Sequence, residues 1–250
     1  KEMASKLATI YEELGADGFS FHPIVAYGAN GADPHAHCGN ARVKEGDCII
    51  LDIGCKKDNY CSDMTRTVFY KSAPEKAKEI FNIVLEANKR AISIVKPGVR
   101  FCDIDNAARE YITEKGYGQY FTHRTGHSIG IETHDMGDVS AVNTDILKPG
   151  MIFSVEPGIY LPGEFGVRIE DLVLVTEDGH EILNKYNKEL NTKKNALDKE
   201  YSERLIKIDG EINTLIKNKA KKMGYDLVLT KNCALYGGND ITKDIIKDLK

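Results

Sequence analysis

Two segments of the chain repeat one pattern of apolar and polar positions, VKEGDCIILDIG (residues 43–54) and LKPGMIFSVEPG (147–158), displaced by 104 positions. In each, a short polar lead-in ends on a glycine (Gly46, Gly150) and an apolar run follows. One acid (Asp52, Glu156) interrupts that run two positions before a second glycine (Gly54, Gly158). Runs of this length and composition predict strands buried on both sides. Upstream of each copy lies a stretch with helical spacing that ends in glycine, KLATIYEELG and IDNAAREYITEKG, followed by a short strand-like run. The body of the chain therefore reads as two copies of one α/β unit, and a pseudo-twofold axis would bring the two acids to one point.

Each copy carries a second acid. If the chain reverses near Lys57 and Asp58, antiparallel partners sum to 115 and Asp52 faces Asp63. A turn around Gly163 gives a sum of 326 and pairs Glu156 with Glu170. Four carboxylates gathered on an apolar sheet repel one another and lose their hydration, and a bound cation removes both costs. Between the acid pairs, THRTGHSIGIETHD adds His123, His127 and His134. Four carboxylates and an imidazole make a hard, oxygen-rich donor set, suited to Mn2+ or another divalent ion with five or six ligands. Two ions about 3.5–4 Å apart are the expected arrangement for that much charge.

The tail follows a different pattern. Tyr201, Leu205, Ile208, Ile212 and Leu215 step by 4, 3, 4 and 3, the seam of a helix over 197–222 that packs along another helix. GYDLVLT and CALYGG then read as two short strands and DITKDIIKDLK as a terminal helix capped by aspartate. All seven prolines precede residue 163, and from Thr192 onward basic residues outnumber acidic ones, 13 to 9, against 21 to 29 before it. A domain boundary is expected near Asn191, with domains over 1–190 and 191–250.

Charge and composition narrow the function classes. A net charge of −4 leaves no basic face for nucleic acid and no polybasic membrane signal. No apolar run approaches the ~20 residues that a membrane span needs, and the start KEMASKLATIYEELG is an amphipathic pattern, not a signal peptide. Cys38, Cys48, Cys55, Cys61, Cys102 and Cys233 form no C-x-x-C pair, which fits free thiols in a reducing compartment. A soluble, cytoplasmic protein is expected. The missing initial methionine suggests a fragment.

The motifs PHAH, LDIG, CSDMTRT, GHSIG, THD, VEPGIY and VRIED occur in that order. As a set they resemble the M24 metallopeptidases, and within them the Xaa-Pro branch of aminopeptidase P and prolidase, over about residues 1–190. The resemblance implies an α+β pita-bread (creatinase/aminopeptidase) fold with two pseudo-symmetric α/β halves. It implies two metal ions held by Asp52, Asp63, His127, Glu156 and Glu170, with Asp63 and Glu170 bridging both. His35 would lie near the substrate, His123 and His134 would line the pocket around the scissile bond, and Arg168 and Tyr160 would support the cluster.

The implied activity is removal of the first residue from peptides with proline second, through a hydroxide bridging the ions. Mn2+ is favoured over Co2+ or Zn2+. Glu156 would shuttle a proton to the departing amine, and His134 would hydrogen-bond the oxyanion. Arg168, two before the last ligand, favours this branch over methionine aminopeptidase; prolidase-like dipeptidase specificity is the alternative. The resemblance further implies a homo-oligomer, a dimer in full-length relatives, with an N-terminal domain and a first helix ahead of Lys1 that are expected to be missing here. GHSIG departs from the commoner GHGIG. His22, His37 and His180 read as surface residues.

Residues 192–250 resemble the C-terminal part of the Skp/OmpH-type periplasmic chaperones, which implies a chaperone or oligomerisation module as a function of another class. A periplasmic chaperone segment beside a cytosolic-type peptidase points to an artificial or mis-assembled join near Asn191.

Overall fold

The computed structural model describes residues 2–37, 41–184 and 188–224. It separates into two compact units, Lys1–Lys185 and Tyr186–Lys250.

The first half of the larger unit comprises α1 (Glu2–Glu13), β1 (Gly18–Phe19), β2 (Ile24–Tyr27) and β3 (Cys48–Ile53). It continues through β4 (Cys55–Lys57), β5 (Tyr60–Cys61) and β6 (Met64–Phe69). Helices α2 (Glu75–Ser93) and α3 (Phe101–Glu114) lead into the second half, with β7 (Gly126–His127), β8 (Asp138–Val139) and β9 (Ile152–Val155). Then come β10 (Gly158–Leu161), β11 (Phe165–Arg168), β12 (Asp171–Val175) and β13 (His180–Ile182). Each half is built on an antiparallel three-stranded sheet, β2-β3-β6 in the first and β13-β12-β9 in the second.

The predicted repeat extends to backbone conformation. Gly15 and Gly116, after α1 and α3, both lie at positive φ (76° and 85°), and so do Gly46 and Gly150 ahead of β3 and β9 (87° and 90°). A left-handed residue ends each helix and a second one turns the chain into each strand, a geometry that costs glycine little. The helices are not equivalent in burial. On α2, Ala77, Ile80, Val84, Ala87 and Ala91 recur at helical spacing and are buried, and on α3 so are Ile104, Ala108 and Ile112. All but Ala77 share one core with Phe153, Val155, Ile159 and Val173 of the second half, with Phe101 edge-on to Phe153 at 5.2 Å between ring centres. Helix α1 has no buried residue.

The first hairpin departs from the expected register. Its reversal falls on Asp58 and Asn59, both at positive φ (50° and 70°), which is the geometry of a type I′ turn. Partners therefore sum to 117, not 115, and Asp52 faces Thr65. Aspartate and asparagine are the residues that tolerate two successive left-handed positions, so the turn centres one position later than Lys57–Asp58. A slip of two preserves the face on which each side chain points. Asp63 still shares a face with Asp52, now diagonally, with Thr65 in the position directly opposite Asp52. The second hairpin keeps the sum of 326 on both sides of the acids: Gly158 pairs with Arg168, and Val155 with Asp171.

A 3-10 turn, Gly28–Ala32, lies against β11. A Cβ at Gly166 would meet the Gly31 carbonyl oxygen at 2.0 Å, so only glycine lets the two backbones approach. That turn leads into Pro34 and His35.

In the smaller unit, α4 spans Lys188–Met223, 36 residues, against the expected 197–222. The segment KELNTKKNAL contains neither proline nor glycine, so nothing stops the helix from extending toward the N-terminus. The helix runs through Asn191, and the division between units falls at Lys185 and Tyr186. Ile206 and Ile208 are exposed. The two strands and terminal helix expected after Gly224 lie outside the described residues.

Gly166→Ala is expected to lower the unfolding free energy by about 1–3 kcal/mol through overpacking, read as a shift in denaturant midpoint. An unchanged midpoint would mean that the 28–32 turn is not held against β11.

Candidate metal centre and active site

The five implied ligands come from both halves. Asp52 is near the end of β3, Asp63 precedes β6, His127 is on β7, Glu156 follows β9, and Glu170 lies between β11 and β12. They face one cavity of about 180 Å³, whose wall also includes His35, His123, His134 and Arg168. His127 Nε2 is 3.6 Å from Asp63 Oδ2 and 3.4 Å from Glu156 Oε1. One donor atom from each of Asp63, His127 and Glu170 falls within 4.8 Å of the others.

These groups suit cations better than they suit one another. Asp52 Oδ1, Asp63 Oδ1 and Glu170 Oε1 are buried with no hydrogen-bond partner. An unpaired buried carboxylate oxygen is costly, and three on residues that line one cavity together with an imidazole make a donor set that fits a cation. Burial, and then repulsion from Asp52 and Glu156, pushes Asp63 up to about 8. Burial raises Glu156 to about 7 against the pull of Arg168. Burial and the Asp63 charge hold Glu170 well above the usual carboxylate range. Burial pushes His127 down to about 4, which keeps the ring neutral. With Nδ1 donating to the Ser128 carbonyl at 3.2 Å, the Nε2 lone pair points at the acids, as a ligand requires.

Arg168 organises the wall. Burial opposes its charge, but Tyr160, Asp52 and Glu156 hold the guanidinium well above its ordinary range. It donates to Asp52 Oδ2, to the Tyr160 hydroxyl at 2.8 Å, to the Pro34 carbonyl at 3.1 Å and to Thr65 Oγ1 at 3.2 Å. The Pro34 contact fixes the loop that presents His35. Because His123 Nδ1 can only donate to the Arg124 carbonyl at 2.7 Å, its Nε2 accepts from Tyr160 at 2.9 Å. A directed chain thus runs from Arg168 through Tyr160 to a neutral His123, which burial pushes down to about 4. His134 packs edge-on to His127, 4.2 Å between ring centres.

Several contributors have no signal in the sequence pattern. Fully buried Asp105 takes both prongs of Arg109 and the Thr125 amide and hydroxyl. Arg109 also donates to the Phe121 and His123 carbonyls, and the Thr125 carbonyl accepts the Glu156 amide at 2.7 Å. An i,i+4 pair on a helix normally reads as solvent-facing, yet this one ties α3 to the histidine loop. Phe21, Ile24, Arg124 and Thr133 line the cavity from positions with no distinguishing spacing. Thr65 was recoverable only from the type I′ turn at Asp58–Asn59. Ser128, the departure in GHSIG, sits against Gly137, where a Cβ would meet its hydroxyl at 2.8 Å. His22 and His37 are exposed as expected. His180 is half-buried instead, its Nδ1 2.9 Å from the Val95 carbonyl, a partner 85 residues away that local pattern cannot reveal.

Comparison with known proteins places this geometry. The profile of metallopeptidase family M24 matches residues 1–177. The chain belongs to metallopeptidase family M24. An uncharacterized peptidase of Staphylococcus aureus (strain MRSA252) is 44% identical over 188 residues, 75% of this chain and 54% of that protein. The M24 chain thus spans about half the length of the curated relatives it matches. Among solved structures, a prolidase from Pyrococcus furiosus aligns with TM-score 0.73 at 43% identity, covering 75% of this chain and 56% of that one. An X-Pro aminopeptidase from Thermotoga maritima aligns with TM-score 0.73 at 44% identity, covering 74% and 53%. The fold of this M24 chain is the pita-bread fold.

The metal-free protein carries a pH signature. A raised carboxyl pKa favours the protonated folded form, so its contribution is lost as pH rises through the folded value, whereas the depressed imidazoles contribute fully above their ordinary 6.5. The melting temperature in chelator is therefore expected to fall between about pH 6.5 and 8, the range set by Glu156 at about 7 and Asp63 at about 8, and added Mn2+ to abolish the fall. A melting temperature that is flat across this range in chelator would mean that the acids do not converge.

Proposed function

We propose that this chain carries the catalytic centre of a dinuclear metallo-exopeptidase that hydrolyses the bond between a first residue and a following proline. The observation that carries this reading is the set of three buried, unpartnered carboxylate oxygens, on Asp52, Asp63 and Glu170, in one cavity with His127, whose ring nitrogen lies within 4.8 Å of ligand atoms of Asp63 and Glu170. Asp52, Asp63, His127, Glu156 and Glu170 would hold two divalent cations, Mn2+ being favoured by the oxygen-rich donors. Bound there, the cations supply Lewis acidity and an acidified water.

The chain's own groups would do the rest. Glu156 Oε1 is 3.1 Å from the Ser154 hydroxyl and 3.4 Å from His127, which orients the carboxyl toward the cavity, and it would carry the proton from the attacking water to the departing amine. His134, kept neutral by burial and by Arg124, would donate to the oxyanion as the tetrahedral centre forms. His123 and His35 would flank the substrate, the first tied to Arg168 Nη1 through the Tyr160 hydroxyl and the second through the Pro34 carbonyl. The substrate's free amine would end near Asp52, which limits cleavage to one residue at a time.

An X-Pro bond has no amide N–H, so a site that recognises it must rely on shape and on the carbonyl. The names of two structural neighbours, prolidase and X-Pro aminopeptidase, support this substrate class. Methionine aminopeptidase-like or dipeptidase selectivity would use the same centre. The free thiols of Cys48, Cys55, Cys61 and Cys102 fit a cytoplasmic setting.

The test pairs metal content by mass spectrometry with hydrolysis of an X-Pro peptide, with and without Mn2+. About two ions per chain and metal-dependent cleavage are expected, both lost in Asp63→Ala. His134→Ala is expected to keep the metal and to lower kcat by about 10²–10³-fold. Absence of bound metal from the wild type would overturn the reading.

A further inference from the structure

Between the acids lies a hydroxyl that the proposed chemistry does not use. Thr65 is fully buried and faces Asp52 across the β3–β6 ladder. Its Oγ1 lies 2.8 Å from Glu170 Oε2 and 3.2 Å from Arg168 Nε. A guanidinium N–H can only donate, so the hydroxyl accepts from Arg168 and its single proton goes to Glu170. The Thr65 carbonyl also accepts the Glu170 amide at 3.1 Å, so Glu170 is tied to this residue through both main chain and side chain. The result is asymmetric. Glu170 Oε2 is occupied and Oε1 is buried without a partner, while a carboxylate oxygen of Glu170 falls within 4.8 Å of ligand atoms of Asp63 and His127.

We propose that Thr65 is a positioning residue for the metal centre, whose hydroxyl fixes the Glu170 carboxylate so that one chosen oxygen faces the cation shared with Asp63 and His127. The inference rests on the dinuclear reading. Arg168 then governs two ligands at once: Asp52 by direct contact, and Glu170 through Thr65. A β-branched side chain suits this task, because its few rotamers let the strand itself aim the hydroxyl. Thr67, two positions further on, is a natural comparison. Its hydroxyl donates to the Arg168 carbonyl at 2.8 Å and accepts the Arg168 amide at 3.1 Å, so it joins strand to strand and reaches no ligand side chain.

Co2+ titration of the metal-free protein, followed by visible absorption, reads the centre without turnover. Thr65→Val keeps the shape and removes the hydroxyl; it is expected to weaken binding of the first ion by about 10–100-fold, with Thr65→Ser staying within about threefold of wild type. Thr67→Val is expected to lower the melting temperature and not the Co2+ affinity. Equal affinity in Thr65→Val and wild type would overturn the proposal. So would a serine variant no better than valine, or a Thr67→Val loss as large as that of Thr65→Val. Should Thr65→Val not fold, Thr65→Ala gives the same comparison against Thr65→Ser. A wild type that takes up no Co2+ would remove the dinuclear reading itself and this inference with it.

Discussion

The structure depends on a guanidinium buried among carboxylates. Arg168 has almost no contact with solvent, and a charge in that position is tolerable only where each of its nitrogens finds an oxygen. Asp52, Tyr160, Thr65 and the Pro34 carbonyl supply them. Removing one member of such a buried set typically costs about 3–5 kcal/mol, because the remaining charge is left without compensation. The same contacts that neutralise Arg168 orient Asp52, the histidine wall and the loop bearing His35. Stability of the core and geometry of the site are therefore one set of interactions.

The acids remain in excess after Arg168 is satisfied. One guanidinium faces Asp52, Asp63, Glu156 and Glu170, and the raised pKa values of Asp63, Glu156 and Glu170 express the imbalance. A proton or a cation must make up the difference. That choice gives the cluster its affinity for divalent ions, and neutral His127 adds a donor without adding charge. The Ser154 and Thr65 hydroxyls each hold one oxygen of Glu156 and Glu170, the Ser128 carbonyl takes the Nδ1 proton of His127, and Arg168 holds one oxygen of Asp52. A cation in the cavity would thus meet lone pairs already aimed at it.

Much of this was legible in the sequence because the repeat fixes parity. Positions that share a face in a strand do so whatever the exact turn, so the four acids could be brought together from VKEGDCIILDIG and LKPGMIFSVEPG even with the first register wrong by two. The slip hid Thr65, since it put Asp63 in the position opposite Asp52 that Thr65 occupies. Turn chemistry decided the matter: two left-handed residues at Asp58–Asn59 centre the hairpin one position later than the charge pattern suggested. Contacts between distant segments were illegible for another reason. The Asp105–Arg109 clamp and the His180–Val95 contact join residues whose spacing is ordinary. A helix in the tail was visible from its apolar spacing, but its extension back to Lys188 was not, because KELNTKKNAL carries no such spacing.

The ligands are drawn from positions 52 to 170, on both sides of α2 and α3. No stretch of chain shorter than that carries the full set, and closing a loop of more than a hundred residues has an entropic cost that local contacts cannot repay early in folding. The centre can therefore exist only after the two halves have docked. An ion that binds this arrangement and not the separated halves acts as a clasp between them, raising the free energy of parting by RT ln(1 + [L]/Kd). Retention of the ion and cohesion of the halves then become the same quantity, and slow metal release is a clock for how often the fold opens.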